Sequence, residues 1–337
     1  MLSDSFMASR VKKIKKESVG HNKNLLLLVG FSCNNNCVVC SVKSREQFYP
    51  DRSFSDIVAE LEQKKKEGFN DVEFTGGEPT IRKDIVSLVA AAKKIGYRNI
   101  AFSTNGRLFS YSKFCQDIFA AGLNKVTFSL LGPDAKTHDA MTRTSGSFNN
   151  IVAGIKNAKQ FPGVHINISS VICRFNYKNL KKFGQFVQSL GVLNWYLLDL
   201  IPDSNAKQFY GSLVVRLPEL EIELNSLLSI AKGFKEFGFF DFPLCLFSPE
   251  LTGLKNVCLV NAKMRSETSQ QVGYNPKRIA KSDKGVYVDA YRTEVAICAQ
   301  CRYYKECGGT WKEYLDKFGP AEIKVLAKKH KCLEKQK

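Results

Sequence analysis

The sequence predicts an α/β fold built on a parallel β-sheet, and two observations support this prediction. Between residues 24 and 203, strand-like and helix-like stretches alternate six times, as expected of parallel strands joined by right-handed helical crossovers. The first strand, Leu25 to Phe31, is an apolar run of the kind that is buried on both faces of a sheet. Because such sheets place reactive residues at the carboxyl ends of their strands, motifs at those ends are candidate functional residues.

Local signals predict each element in order. Later strands are expected at Asp71–Thr75, Asn99–Ser103, Lys125–Leu130, Val164–Ile172 and Asn194–Leu200. Helix signals, either a capping residue at the start or a glycine at the end, occur at Ser53, Gly68, Gly96, Gly122, Ser147 and Asn179. Leu217 to Phe237 is then predicted to be one amphipathic helix that ends at Gly238.

Composition restricts the class of protein. The 337 residues carry 50 Lys and Arg against 32 Asp and Glu, a net charge of +18 that favours anionic partners without choosing among them. The longest apolar run, Leu25 to Val29, is too short to cross a bilayer, so no membrane association is expected. The 11 cysteines form close groups, which suits metal binding in a reducing compartment, and the predicted location is therefore cytoplasmic.

Three cysteines follow the first strand at the spacing Cys33-x3-Cys37-x2-Cys40. Three thiolates on one loop can hold three irons of a four-iron cluster and leave the fourth iron without a protein ligand. A structural zinc site is the alternative, but it needs four ligands, and the next cysteine is Cys115.

A second motif, Thr75-Gly76-Gly77-Glu78-Pro79, ends the second predicted strand. Alone, such a stretch marks only a turn, but its position downstream of the cysteine triplet is informative. The pair of motifs resembles the radical S-adenosylmethionine (radical SAM) enzymes. The resemblance covers roughly residues 24 to 203 and implies a partial (β/α)6 TIM-like barrel that is open on one side for substrate.

The resemblance also implies roles for these residues. Cys33, Cys37 and Cys40 would bind a [4Fe-4S] cluster whose open iron chelates S-adenosylmethionine (SAM), and reduction would release a 5'-deoxyadenosyl radical that removes a substrate hydrogen atom. Gly76 and Gly77 would let the backbone approach the cofactor closely, since neither has a side chain. Glu78 would accept a hydrogen bond from the ammonium group of SAM.

Five further polar residues resemble positions that contact the ribose or the carboxylate of SAM in this family: Ser103, Thr104, Asn105, Ser129 and Arg143. Short polar side chains are also common at strand ends simply as caps. One departure is Val39, because the residue before the third cluster cysteine is often aromatic in the family and packs near the adenine. Adenine packing is therefore expected to be looser or supplied elsewhere.

A second cysteine group, Cys298-x2-Cys301-x5-Cys307-Gly308-Gly309, resembles the auxiliary-cluster domains called SPASM and Twitch. A two-cluster domain would have another cysteine where this chain has Trp311, so one auxiliary [4Fe-4S] cluster is expected. Cys245 is the preferred fourth ligand, followed by Cys332 and then Cys258. Structural zinc on the same four thiolates is the open alternative.

The predicted domains are a basic N-terminal extension (1–23), the radical SAM partial barrel (24–203), a connector and helix (204–237), and a SPASM/Twitch-like domain (238–337). The leading hypothesis for function is radical modification of a peptide or protein side chain, with flavodoxin or ferredoxin as electron donor. One alternative is a radical SAM enzyme that acts on a nucleotide, a tRNA base or a small metabolite in cofactor biosynthesis. Another is a non-catalytic iron-sulfur scaffold or sensor that binds nucleic acid, although no nucleic-acid-binding motif is present.

Overall fold

A computed structural model describes residues 23–261, 269–272 and 292–330. Residues 1–22 of the predicted N-terminal extension, and Cys332, lie outside the described residues. The strands of the main sheet are β1 (Lys23–Leu28), β2 (Phe69–Thr75), β3 (Asn99–Thr104), β4 (Lys125–Ser129), β5 (His165–Val171), β6 (Asn194–Leu198), β7 (Glu236–Phe240), β8 (Val257–Val260) and β9 (Ser269–Val272). A separate antiparallel pair consists of β10 (Arg292–Thr293) and β11 (Thr310–Trp311).

The sheet is parallel throughout, with the strand order β8-β7-β6-β5-β4-β3-β2-β1-β9. Within the described residues β8 and β9 each pair on one side only, so the sheet forms a half-barrel that is not closed. The predicted α/β partial barrel is therefore confirmed. Because all strands run the same way, their carboxyl ends meet at one edge, which is where the two predicted motifs lie.

Helices follow the strands along most of the chain. The longer ones are α1 (Phe54–Lys66), α2 (Ile85–Ile95), α3 (Ser112–Ala121), α4 (Ala135–Thr142), α5 (Ser147–Ala158) and α6 (Leu180–Ser189). Those of the second half are α7 (Ser204–Gln208), α8 (Tyr210–Leu213), α9 (Leu217–Ser226), α10 (Leu228–Ala231), α11 (Pro249–Thr252), α12 (Lys312–Phe318) and α13 (Ala321–Lys328). No helix in these described ranges is long and apolar enough to cross a lipid bilayer.

Local sequence signals set the helix ends as expected. The hydroxyl of Ser53 accepts a hydrogen bond from the backbone N–H of Asp56 at 3.1 Å and caps α1. Gly96 and Gly122 end α2 and α3 in the left-handed conformation, with φ of 97° and 118°. Glycine adopts this conformation without the steric cost that a Cβ would add, so it ends helices efficiently.

The helix predicted over Leu217 to Phe237 is wrong in its second half. Helix α9 ends at Ser226 and α10 is short, after which the chain forms β7. Gly238 does not end a helix; it lies within β7, where an added Cβ would stand 2.6 Å from the ring of Tyr196. The parallel sheet therefore continues past residue 203 through β7 and β8, beyond the six strands that were predicted.

Strand residues alternate between an apolar and a polar face. Phe74, Phe102 and Trp195 are fully buried, and Trp195 packs on Phe183 of α6 at 5.3 Å between ring centroids. On the opposite face the hydroxyl of Ser103 donates a hydrogen bond to Glu73. The apolar face holds the helices against the sheet, and the polar face lines the concave side of the half-barrel.

Replacing Phe102 by alanine should lower the free energy of unfolding by about 3–5 kcal/mol, because a fully buried ring that packs on Phe74 at 5.8 Å would be lost. Urea unfolding followed by circular dichroism measures the change. Phe48→Ala is the matched control, since this ring is 73% exposed and its removal should change the free energy by less than about 0.5 kcal/mol. Equal effects of the two substitutions would contradict the assigned core.

Candidate active site

The cysteine loop, residues 30–42, follows β1 at the carboxyl edge of the sheet and carries Cys33, Cys37 and Cys40. Burial, with smaller contributions from the charges of Glu78 and Cys40, raises the pKa of Cys33 to about 11. Burial, followed by the charges of Cys40 and Cys33, raises the pKa of Cys37. Three close thiols that resist ionisation together need a cationic partner to become thiolates, so this donor set fits an iron cluster.

Two elements from distant parts of the chain support the cysteine loop. The backbone N–H of Val38 donates to the carbonyl of Met141, in α4, at 2.8 Å. The N–H of Ala206, in α7, donates to the carbonyl of Cys40 at 3.1 Å. Backbone hydrogen bonds to α4 and α7 therefore help to hold the loop in place.

The Gly76–Gly77 pair packs directly on the beginning of the cysteine loop. The N–H of Gly77 donates to the carbonyl of Gly30, and the N–H of Glu78 to that of Ser32, both at 2.9 Å. A Cβ on Gly76, whose φ is 123°, would lie 2.2 Å from the Gly30 oxygen, and one on Gly77 would lie 2.2 Å from the Ser32 oxygen. The close approach in this structure is thus between the two motifs, and the approach to a cofactor stays a prediction.

Glu78 is buried and joins the ends of β2 and β3. Its Oε1 accepts hydrogen bonds from the hydroxyls of Thr80 at 2.6 Å and Thr104 at 2.7 Å, and its Oε2 accepts one from the N–H of Asn105 at 2.6 Å. Burial raises the pKa of Glu78, although these hydrogen bonds act in the opposite direction. The structure therefore brings the predicted residues 78, 104 and 105 together, and Oε2 retains acceptor capacity.

Asn105 reaches from the end of β3 to the cysteine loop. Its Nδ2 donates to Oδ1 of Asn34 at 2.7 Å and lies 4.0 Å from Sγ of Cys33. Arg107, which the sequence analysis did not identify, donates from Nη1 to the carbonyl of Asn34 at 2.6 Å and to Oδ1 of Asn35 at 3.3 Å. The available signal was its position directly after the polar motif that ends β3.

The remaining predicted residues belong to three different elements, β3, β4 and the end of α4. Ser103 is bonded to Glu73 on the concave face, and Ser129 ends β4 partly exposed. Arg143 ends α4 in the left-handed conformation, with φ of 54°, and its guanidinium lies 5.4 Å from the ring of Phe209. The roles predicted for Ser103, Ser129 and Arg143 toward SAM stay predictions.

The second cysteine group surrounds a cavity of about 320 Å³, a volume that includes the space at its mouth. The four thiols that line it are Cys245, Cys298, Cys301 and Cys307. Burial, then the nearby charges of the other three cysteines, raises the pKa of Cys245 well above its ordinary value. The structure therefore brings the preferred set together, whereas Cys258 lies in β8 against Gly238.

Backbone groups organise this second set. The N–H groups of Leu244 and Gly309 point at Sγ of Cys307, at 3.5 and 3.4 Å, and would stabilise negative charge on that sulfur. The ring of His330 contacts the carbonyl of Cys245 at 3.2 Å. Within the described ranges, no three Cys, His, Asp or Glu side chains stand close enough together to hold one metal ion.

Trp311 connects the second cysteine group to the sheet. Its indole N–H donates to Oδ2 of Asp199, directly after β6, at 2.7 Å, and the guanidinium of Arg292 stacks 4.0 Å from its ring. Arg292 also donates to the carbonyls of Gly309, at 3.0 Å, and Asp241. Burial raises the pKa of Asp199 to about 7, although Arg292 and Trp311 lower it. Neither Asp199 nor this contact was predicted from the sequence.

Comparison with known proteins identifies the class. Residues 27–187 match the sequence profile of the Radical SAM superfamily. The chain therefore contains a radical SAM domain, the domain that binds a [4Fe-4S] cluster and SAM. A SPASM or Twitch domain is not matched directly, so that part of the resemblance stays a prediction.

Individual relatives show how far the similarity extends. A probable GTP 3',8-cyclase of Saccharolobus islandicus is 31% identical over 180 residues, which are 53% of this chain and 58% of that protein. An AdoMet-dependent heme synthase of Oleidesulfovibrio alaskensis is 31% identical over 195 residues, 58% of this chain and 49% of its own. The chain thus spans about half the length of these curated relatives. SuiB of Streptococcus suis, solved with its precursor peptide SuiA, shares the fold with a TM-score of 0.61 at 15% identity, over 95% of this chain and 80% of that one.

Gly76→Ala should reduce the iron bound by the cysteine loop, because its Cβ would collide with the Gly30 carbonyl and displace the loop. Iron analysis after anaerobic reconstitution measures the loss. Gly163→Ala is the matched control, since Gly163 has a similar φ of +84° but no atom within 4 Å of an added Cβ. Normal iron in both variants would contradict the packing of the two motifs.

His138 should make the fold less stable as the solution becomes more acidic. Its Nδ1 accepts the N–H of Leu131 at 3.0 Å, and burial lowers its pKa from 6.5 to about 4. Below pH 6.5 the unfolded chain binds a proton that the folded chain excludes down to about pH 4, so stability falls across that window. At pH 5 the loss should be about 2 kcal/mol relative to pH 7.

His138→Asn retains an acceptor near the Nδ1 position but does not titrate, so its unfolding midpoint in urea should change less between pH 7 and pH 5. His165→Asn is the control, because His165 is exposed and its replacement should leave the wild-type pH dependence in place. If the unfolding midpoint of His138→Asn changes with pH as much as that of the wild type, other groups cause the acid sensitivity.

Proposed function

We propose that this protein is a radical SAM enzyme that reductively cleaves SAM to a 5'-deoxyadenosyl radical and removes a hydrogen atom from a peptide or protein side chain. The observation that carries the proposed cleavage of SAM is the hydrogen-bonded packing of the three-thiol loop on the Gly-Gly-Glu motif. Both motifs lie within the segment that matches the Radical SAM superfamily. A probable GTP 3',8-cyclase and an AdoMet-dependent heme synthase, both enzymes by name, are similar to this chain by sequence.

Each residue of the site has a role in this proposal. Cys33, Cys37 and Cys40 would bind the cluster, which supplies the electron for SAM cleavage when bound. Oε2 of Glu78 would accept a hydrogen bond from the SAM ammonium group. This oxygen accepts a hydrogen bond from the N–H of Asn105 and has a further acceptor position. Arg143 would bind the SAM carboxylate, because the planar guanidinium presents paired N–H donors that match a carboxylate. The ring of Phe209, 5.4 Å away, lies beside this guanidinium.

We further propose that Cys245, Cys298, Cys301 and Cys307 hold an auxiliary [4Fe-4S] cluster. Two observations support this assignment: the four thiols line one cavity, and two backbone N–H groups point at Sγ of Cys307. Four thiolates also suit zinc, so metal analysis must decide between the two.

A peptide or protein substrate is supported by the extent of the structural similarity. SuiB, whose structure contains a precursor peptide, is matched over 95% of this chain, including regions beyond the radical SAM domain. The concave face of the sheet offers polar groups such as Glu73 and Thr127, both partly exposed, that can hydrogen-bond a backbone or a polar side chain. An acidic flavodoxin or ferredoxin as electron donor agrees with the +18 charge.

A nucleotide or small metabolite is the second candidate substrate. The sequence relatives include a probable GTP 3',8-cyclase and a heme synthase, and the positive charge suits phosphate. Incubation with a peptide library and with nucleoside triphosphates separates the two, with substrate-dependent formation of 5'-deoxyadenosine as the readout. Tight binding that falls steeply with salt would favour the anionic substrate.

The reconstituted protein should release 5'-deoxyadenosine when incubated anaerobically with SAM and dithionite. Cys37→Ala should abolish this release and lower iron from about eight to about four atoms per chain. Cys298→Ala should lower iron by a similar amount through the other site, and Cys258→Ser should leave both quantities unchanged. An intact cluster that releases no 5'-deoxyadenosine would favour the scaffold hypothesis. If the wild type contains zinc and Cys298→Ala loses that zinc, the proposed auxiliary iron-sulfur cluster would be contradicted.

A further inference from the structure

The cysteine loop contains a buried amide that the proposed function does not use. Asn35, between Cys33 and Cys37, is only 5% exposed. Its backbone N–H points to Sγ of Cys33 at 3.4 Å, while its side-chain Nδ2 is fully buried and makes no hydrogen bond within the described residues. A buried N–H pair without an acceptor costs free energy, so such a group in a functional loop calls for a partner.

Arg107 determines which way the Asn35 amide faces. The guanidinium carries only donors, and its Nη1 lies 3.3 Å from Oδ1 of Asn35 and 2.6 Å from the carbonyl of Asn34. The oxygen of the amide must therefore face Arg107, and the NH2 group must face the opposite side. The NH2 group is close enough to the Cys37 thiol to lower its pKa, against the larger effect of burial, but it completes no hydrogen bond to that sulfur in the described residues.

We propose that Asn35, oriented by Arg107, is a positioning residue that raises the reduction potential of the cluster on Cys33, Cys37 and Cys40. With the cluster bound, this amide NH2 would donate to a sulfur at the Cys37 corner. The cluster gains one electron from an external one-electron donor, and no proton moves. The added negative charge spreads onto sulfur, so a fixed N–H donor and a nearby guanidinium stabilise the reduced state more than the oxidised state. This inference rests on the proposed assignment of the three cysteines as cluster ligands.

The neighbouring amide supports the same reasoning at another corner. Nδ2 of Asn105 lies 4.0 Å from Sγ of Cys33 and is held in place by Asn34 at 2.7 Å. Two side-chain amides, from different elements, thus lie beside two of the three cysteine sulfurs. Hydrogen bonds to the sulfurs are among the factors that set the potential of iron-sulfur clusters.

The test compares reconstituted Asn35→Ala, Arg107→Gln and Asn36→Ala with the wild type. Asn36 is an exposed asparagine in the same loop, and its side chain contacts Asn205 at 3.0 Å, so Asn36→Ala is a matched control. Iron and sulfide are counted first. The midpoint potential is then measured by titration under electron paramagnetic resonance, using the signal that changes when SAM is added.

With iron content unchanged, the midpoints of Asn35→Ala and Arg107→Gln should shift to more negative potential, and that of Asn36→Ala should not. Wild-type midpoints in both loaded variants would overturn the proposal. If Asn35→Ala binds no iron, Arg107→Gln alone decides by the same criterion. If the SAM-sensitive signal of the wild type is still present in Cys37→Ala, the proposed assignment of the cluster ligands is overturned instead.

Discussion

Two backbone hydrogen bonds at 2.9 Å hold the proposed active site together: Gly77 to Gly30, and Glu78 to Ser32. They join the chain after β2 to the chain after β1 at a separation that only glycine at positions 76 and 77 permits. The cysteine loop begins at this contact, so its position relative to the sheet is set by the backbone of both motifs. Backbone contact of this kind transmits the rigidity of a parallel sheet to a loop that would otherwise be free.

Glu78 extends this constraint to the next strand. Its carboxylate joins Thr80, Thr104 and Asn105, and Asn105 in turn reaches Asn34 in the cysteine loop. The ends of three strands are thereby connected through one buried carboxyl group. Glu78 connects these strand ends and would also accept a hydrogen bond from a bound cofactor. Binding of that cofactor would then be coupled to the geometry of the cluster ligands.

The sequence predicted the elements whose signals are local. Ser53, Gly96 and Gly122 mark helix ends through their own conformational preferences, and the apolar runs mark buried strands. Gly238 was misread because glycine also serves close packing within a strand, and only the position of Tyr196 reveals that use. Arg107 and Asp199 could not be found in advance, since their partners lie 72 and 112 residues away along the chain. The close spacing of Cys298, Cys301 and Cys307, and the turn at Cys245, did indicate the four thiols that share a cavity.

The two tryptophans of the chain occupy very different positions. Trp195 is sealed in the layer between sheet and helices, where its indole N–H donates to Ser170 at 3.0 Å. Trp311 stands four residues after Cys307, with its indole bound to Asp199 and covered by Arg292. Fluorescence from Trp311 is therefore an intrinsic optical probe of the junction between the half-barrel and the second cysteine group, and emission from Trp195 supplies an internal reference.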